Sequence, residues 1–131
     1  MGATKTITRD DSVVEVLGRD SVDVVIDLVA GERWPEYLDV LLPGGRYAVA
    51  GAIGGPLVQL DVRTLYLKDL SFFGCTVLEP QVFRNLIKHI ESESIRPVVA
   101  QTFPLAQIAD AQEVFMSKKH VGKIVLSVNE S

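Results

Sequence analysis

The stretch Val22-Asp23-Val24-Val25-Ile26-Asp27-Leu28 decides the fold. Its apolar residues are mostly β-branched and run almost without interruption, which is the pattern of a largely buried strand. Asp27 ends that strand. A carboxylate there needs a partner, and capping a loop amide suits its position better than acid–base work. Downstream, Trp34, Tyr37, Leu38 and Leu41 fall at i, i+3, i+4 and i+7, one face of a helix. Pro35 stands where a first helical turn tolerates proline. Pro43-Gly44-Gly45 ends that helix, and Arg46-Tyr47-Ala48-Val49-Ala50 follows as a second strand. The loop Gly51-Ala52-Ile53-Gly54-Gly55-Pro56 comes next.

Upstream, Lys5-Thr6-Ile7-Thr8 is a short β-prone piece. Asp10, Asp11 and Ser12 supply caps for a helix carrying Val13, Val14 and Leu17. Farther along, Thr64-Leu65-Tyr66-Leu67 is ambiguous between strand and short helix, and residues 71–77 read as a strand. Val82, Phe83, Leu86, Ile87 and Ile90 mark an amphipathic helix. Residues 98–103 are strand-like, Pro104 opens a helix along Leu105, Ile108, Gln112 and Phe115, and residues 123–128 close as a strand. Strands alternating with helices predict an α/β fold with a parallel sheet.

Composition narrows the function. At 131 residues the chain is one domain's worth, and 47% hydrophobic with 23% charged residues is an ordinary globular balance. A net charge of −4 argues against a nucleic-acid partner, which needs a basic face. Lys118, Lys119 and His120 form the one basic cluster, read as a solvated turn. No apolar run approaches a membrane span, and the start has no apolar signal core, so a cytoplasmic location is expected. The single cysteine, Cys75, fits a reducing compartment and reads as a buried small hydrophobe. With His89 and His120 scattered, no zinc-ligand spacing and no Ser-His-Asp context is present.

Four segments in this order carry a family likeness: Met1-Gly2-Ala3-Thr4-Lys5-Thr6-Ile7; Val22 through Leu28 continued by Val29-Ala30-Gly31; Leu42-Pro43-Gly44-Gly45-Arg46-Tyr47-Ala48-Val49-Ala50-Gly51; and Gly122-Lys123-Ile124-Val125-Leu126. Together they resemble the medium-chain dehydrogenase/reductase superfamily, closest to its zinc-type alcohol dehydrogenase and quinone oxidoreductase branches. The resemblance implies a partial Rossmann-like parallel sheet, strands three to six of the family domain, with helices on its faces and a C-terminal return segment. On that map residues 1–77 are nucleotide-binding strands and 78–131 the return. The family's glycine-rich dinucleotide turn, G-x-G-x-x-G between a strand and a helix, has no counterpart, since Gly51-Ala52-Ile53-Gly54-Gly55 lacks that spacing.

The resemblance implies NAD(P)H as cofactor, faced by loops at the carboxyl ends of the strands, with weak or absent binding expected of this chain because the dinucleotide turn has no counterpart. The loops are Leu28-Val29-Ala30, Gly51-Ala52 and Cys75-Thr76-Val77; where Ala30 stands, family members often carry glycine. Lys123 matches a basic family position that reaches cofactor phosphates, and is otherwise an exposed side chain. No catalytic residue and no metal ligand is carried over, because the family places its zinc ligands in a domain without counterpart here. The chain is therefore expected to be the cofactor-binding portion of an oxidoreductase, inactive alone. A binding or dimerisation module, or half of a split enzyme completed by a separate polypeptide bearing the catalytic domain and the glycine-rich turn, are the alternatives.

Without the family's first two strands, either Lys5-Thr6-Ile7-Thr8 re-pairs onto the strand from Val22 to Leu28, or two copies associate at that edge. Family dimers also pair a strand from the segment matching Val62–Leu67. A homodimer is expected, and the segment from Leu78 onward is expected to pack on the remaining strands.

Overall fold

The computed structural model describes residues 2–76 and 79–128. The chain divides into two compact units, Met1–Val77 and Leu78–Ser131.

The first unit is built on three parallel strands, β1 (Val22–Asp27), β2 (Leu41–Val49) and β3 (Ser71–Gly74), in that order across the sheet. The connections are helical: α2 (Trp34–Val40) leads from β1 to β2, and α3 (Val62–Leu67) precedes β3. This is the α/β pattern of a partial Rossmann-like sheet. A short helix α1 (Val13–Leu17) comes before β1, capped by Ser12, whose side chain accepts from the Glu15 amide. Ser12 also donates to Glu36, as does the Val13 amide at 2.7 Å, which ties α1 to the start of α2. At the other end of α2, Lys68 donates to the Leu38 and Asp39 carbonyls. It thereby satisfies helix-end acceptors that have no intrahelical donor.

In-register rows place Val25, Tyr47 and Phe72 on one face of the sheet and Ile26, Ala48 and Phe73 on the other. The first face is the core. There Trp34, Leu38, Leu41, Tyr47 and Leu70 are buried together, with Val22, Val25 and Val49 against them. Trp34 meets both Tyr47 and Phe72 edge-on at 6.0 Å between ring centres, a favoured aromatic geometry. The opposite face is bare: Ile26 is 73% and Phe73 49% exposed.

Several expectations change. Residues 5–8 form no strand, because the Thr8 amide and hydroxyl both donate to Asp11 instead of entering a ladder. They do not re-pair onto β1, which bonds to β2 alone. β1 is buried on one face only. Leu41 opens β2 rather than closing α2, and residues 43–45 interrupt the register where Gly44 adopts φ +78°. Val62–Leu67 is a helix, capped by Asp61 through the Arg63 amide, so it presents no strand edge for pairing. β3 ends at Gly74.

The second unit carries α4 (Pro80–Glu91), β4 (Val99–Pro104), α5 (Ile108–Ser117) and β5 (Lys123–Ser127). β4 and β5 pair in parallel as a sheet of their own. Pro104 ends β4, and a 3-10 turn over Leu105–Gln107 separates it from α5. Phe103 and Ala111 are the buried residues here. On α4 the stripe of Val82, Phe83, Leu86, Ile87 and Ile90 is exposed. No helix is long and apolar enough to cross a membrane among the described residues.

Candidate functional site

Where β1, β2 and β3 end, their loops are laced together by backbone hydrogen bonds. The Ala50 amide donates to the Asp27 carbonyl at 2.9 Å, Gly54 to Val29 at 2.7 Å, and Cys75 to Val49 at 2.8 Å. Strands that run parallel bring their carboxyl ends to one edge, which is where doubly wound sheets take ligands.

Asp27 governs the first of these loops. Its carboxylate accepts from the Val29 and Ala30 amides at 2.8 and 2.9 Å, and from the Tyr47 hydroxyl at 2.6 Å. Burial alone would push this carboxyl up. The hydrogen bonds from Tyr47, Ala30 and Val29 outweigh it and hold the carboxyl below its ordinary value. The Tyr47 hydroxyl is displaced the other way, raised by burial and then by the Asp27 carboxylate. The amide-capping role expected of Asp27 is what the geometry displays; its tyrosine partner, twenty positions along the chain, is not foreshadowed by any local motif.

Ala30 stands at φ +54°, ψ −145°, a region that L-residues with a Cβ rarely enter. A glycine, lacking a Cβ, would enter this region without that strain. At Gly51 the constraint is proximity: a Cβ there would stand 2.5 Å from the Leu28 carbonyl oxygen. The loops after β1 and β2 thus touch backbone to backbone.

Val49, Ala50, Gly51, Ala52, Gly74, Cys75 and Thr76 line an open depression of about 450 Å³ between the ends of β2 and β3. Cys75 is exposed there rather than buried, since it lies just past the last residue of β3. Leu28 and Val29 are likewise exposed beside it on the β1 loop, while Ala30 is buried. Of the residues singled out from sequence, Leu28, Val29, Ala30, Gly51, Ala52, Cys75 and Thr76 share this one edge. Val77 lies outside the described residues. Lys123 belongs to the second unit, where it opens β5 with its side chain exposed and its amide bonded to the Val98 carbonyl at 2.8 Å.

Gly51 and Ala52 carry little or no side chain, so the backbone at the rim is open to close approach, and Thr76 adds a polar side chain. Among the described residues no group of three or more His, Cys, Asp or Glu side chains is placed to hold a metal ion.

Comparison with known proteins gives these features a context. The family model described as zinc-binding dehydrogenase matches residues 1–126. Quinone oxidoreductase-like protein 2 of Bos taurus is 29% identical over 127 residues, covering 90% of this chain and 36% of that protein. A crystal structure from Sinorhizobium meliloti, assigned to the alcohol dehydrogenases, superposes with a TM-score of 0.77 at 43% identity. It covers 90% of this chain, which spans 34% of it. The structure of a 2-octenoyl-CoA carboxylase reductase in complex with NADP and 2-octenoyl-CoA aligns with a TM-score of 0.72 at 26% identity, over 87% of this chain and 25% of that one. The chain thus spans about a third of the length of the Bos taurus and Sinorhizobium meliloti proteins.

Proposed function

Because the chain belongs to the zinc-binding dehydrogenase family, we propose that it is the cofactor-facing portion of an NAD(P)-dependent oxidoreductase of the alcohol dehydrogenase or quinone oxidoreductase kind. The observation that carries this reading is the backbone-lined depression at the ends of β2 and β3, joined by hydrogen bonds to the loop after β1. When bound, the nicotinamide supplies the hydride chemistry. This chain's own part is to bind and orient it: exposed backbone at Gly51 and Ala52 receives the ring, and the Cys75 carbonyl and the Thr76 hydroxyl offer partners for a carboxamide. The rim groups bind and orient, and no residue here matches the catalytic groups of the resembled enzymes, so on this reading the 131-residue chain taken alone is inactive in hydride transfer.

A fluorescence titration of the purified chain with NADPH and NADH tests this. Saturable but weak binding, short of the affinity that a glycine-rich dinucleotide turn would add, is the expected result. No binding up to millimolar cofactor would overturn it.

A second reading concerns association, and it is supported by β1. That strand bonds to β2 on one side only, and Ile26 and Val24 are exposed along it. An apolar edge of this kind pairs readily with another strand. The chain is accordingly a homodimer through β1, or completes its sheet with a strand from a separate polypeptide that bears the catalytic domain and the glycine-rich turn. Sedimentation equilibrium of the chain alone separates these: a dimer favours the first, a monomer the second.

A further inference from the structure

We infer that Asp27 is a positioning residue for the strand-end crevice: its carboxylate sets the backbone of the loop after β1, and through that loop the backbone of the loop after β2. Its effect on cofactor binding rests on the function proposed above, whereas the loop geometry stands without it.

Asp27 is 4% exposed and is the one buried charged side chain among the described residues. A buried carboxylate left without donors would be strongly unfavourable. Here each oxygen is engaged. Oδ1 accepts from the Val29 and Ala30 amides, and Oδ2 from the Tyr47 hydroxyl. Tyr47 is itself fixed by its edge-on contacts with Trp34 and Phe72, so Oδ2 is anchored to the core. Oδ1 then dictates where the next two amides point.

The consequence is a relay. With its amide held by Oδ1, Ala30 is kept at φ +54° despite its Cβ. The same turn aims the Val29 carbonyl at the Gly54 amide, 2.7 Å away. Gly31 follows at φ +79°, and a Cβ there would stand 2.3 Å from the Gly54 carbonyl oxygen, so the two loops are pressed together at this point. A core tyrosine, a strand-end carboxylate, two amides and a glycine of the loop after β2 form one connected path. With three donors already on it, the Asp27 carboxylate serves position rather than proton transfer.

Amide hydrogen exchange of the whole chain, measured by NMR on the wild type and on Asp27→Ala, Asp27→Asn and Tyr47→Phe, tests the inference. In Asp27→Ala, exchange at Val29, Ala30 and Gly54 is expected to accelerate about tenfold relative to Cys75, whose amide bonds Val49 independently. Asp27→Asn, which keeps an Oδ1 acceptor, is expected to restore most of that protection and to bind NADPH nearly as the wild type does. Asp27→Ala should bind it about tenfold more weakly. Tyr47→Phe keeps the test decisive if Asp27→Ala does not fold, and should accelerate the same three amides. Unchanged exchange at Gly54, or a uniform loss of protection that Asn does not rescue, would overturn the relay. A wild type that shows the exchange pattern yet binds no NADPH would sink the cofactor reading and leave the relay standing.

Discussion

The two faces of the three-stranded sheet share one backbone and nearly the same apolar content, yet only one of them is packed. On the covered face, Trp34 and Leu38 from α2 lie over Tyr47, with Leu41 fully buried beneath. On the bare face, Ile26, Ala48 and Phe73 stand in register with no helix over them in this unit. The difference teaches that a continuous apolar run records the number of faces a strand is selected to bury, not the number this chain covers. It also separates residues that hold this fold together from residues that invite a partner.

That contrast is open to direct attack. The largest effect belongs to the covered face. Trp34→Ala removes the side chain that joins α2 to Tyr47 and Phe72, and should cost about 3–5 kcal/mol in urea unfolding. A loss under about 1 kcal/mol would mean that this face is not the core.

Next comes the seam between the loops. A Cβ at Gly51 would meet the Leu28 carbonyl oxygen at 2.5 Å, and backbone cannot swing aside as a side chain does. Gly51→Ala should therefore cost about 1–3 kcal/mol. It should also slow or abolish cofactor binding, measured by the same fluorescence titration.

The pH dependence follows from the pair that links core to crevice. Asp27 and Glu36 are both held below their ordinary values. For each, burial opposes the shift and hydrogen bonds outweigh it: Tyr47, Ala30 and Val29 on Asp27, and Ser12, Val13 and Val14 on Glu36, with Arg33 adding to the latter. The unfolded state thus binds protons more readily in acid. The stability these groups contribute is complete at neutral pH and is lost as pH falls through their folded values. Tyr47 is raised, so its contribution is present below the ordinary tyrosine value and declines as pH climbs past about 10. Thermal unfolding across pH should show both shoulders, and Tyr47→Phe should flatten the alkaline one.

The smallest effect lies on the bare face. Ile26→Ser, at a side chain 73% exposed, should change the stability of the monomeric chain by no more than about 0.5 kcal/mol. The same substitution should reduce self-association in sedimentation, since it removes apolar surface beside the free edge of β1.

Much of this organisation was legible in the sequence, for reasons that can be named. Val22–Asp27 was readable because β-branched residues in a run have few alternatives to a strand, and α2 because Trp34, Tyr37 and Leu38 repeat at helical spacing. Leu41 obeys that spacing and is buried as the pattern requires, but it belongs to β2; periodicity reports the face a residue turns to more surely than the element it sits in. Residues 5–8 have strand-like composition and no strand beside them. A β-prone segment needs a neighbour to become a strand, and Asp11 captured the Thr8 groups first. Asp61 was a cap signal that resolves the ambiguity at Val62–Leu67 in favour of helix.

At the site, the strand-end loops followed from the turn residues and the family likeness, and the need of Asp27 for amide partners followed from its place at the end of a buried strand. Tyr47 did not follow. It reaches Asp27 from the neighbouring strand, and that meeting depends on the register Val25↔Tyr47 and Asp27↔Val49, which no local pattern specifies. Cys75 was read as buried because cysteine usually is; one residue beyond the end of β3 it is exposed among the described residues.

The central claim, that the strand-end crevice of the first unit takes a nicotinamide cofactor, is tested most directly by following the backbone amide resonances of the chain as NADPH is added. The account predicts saturable shifts concentrated at Leu28, Val29, Ala30, Gly51, Ala52, Cys75 and Thr76, with α4 and the outer face of β1 unmoved. Shifts confined to other surfaces, or none at millimolar NADPH, would contradict it.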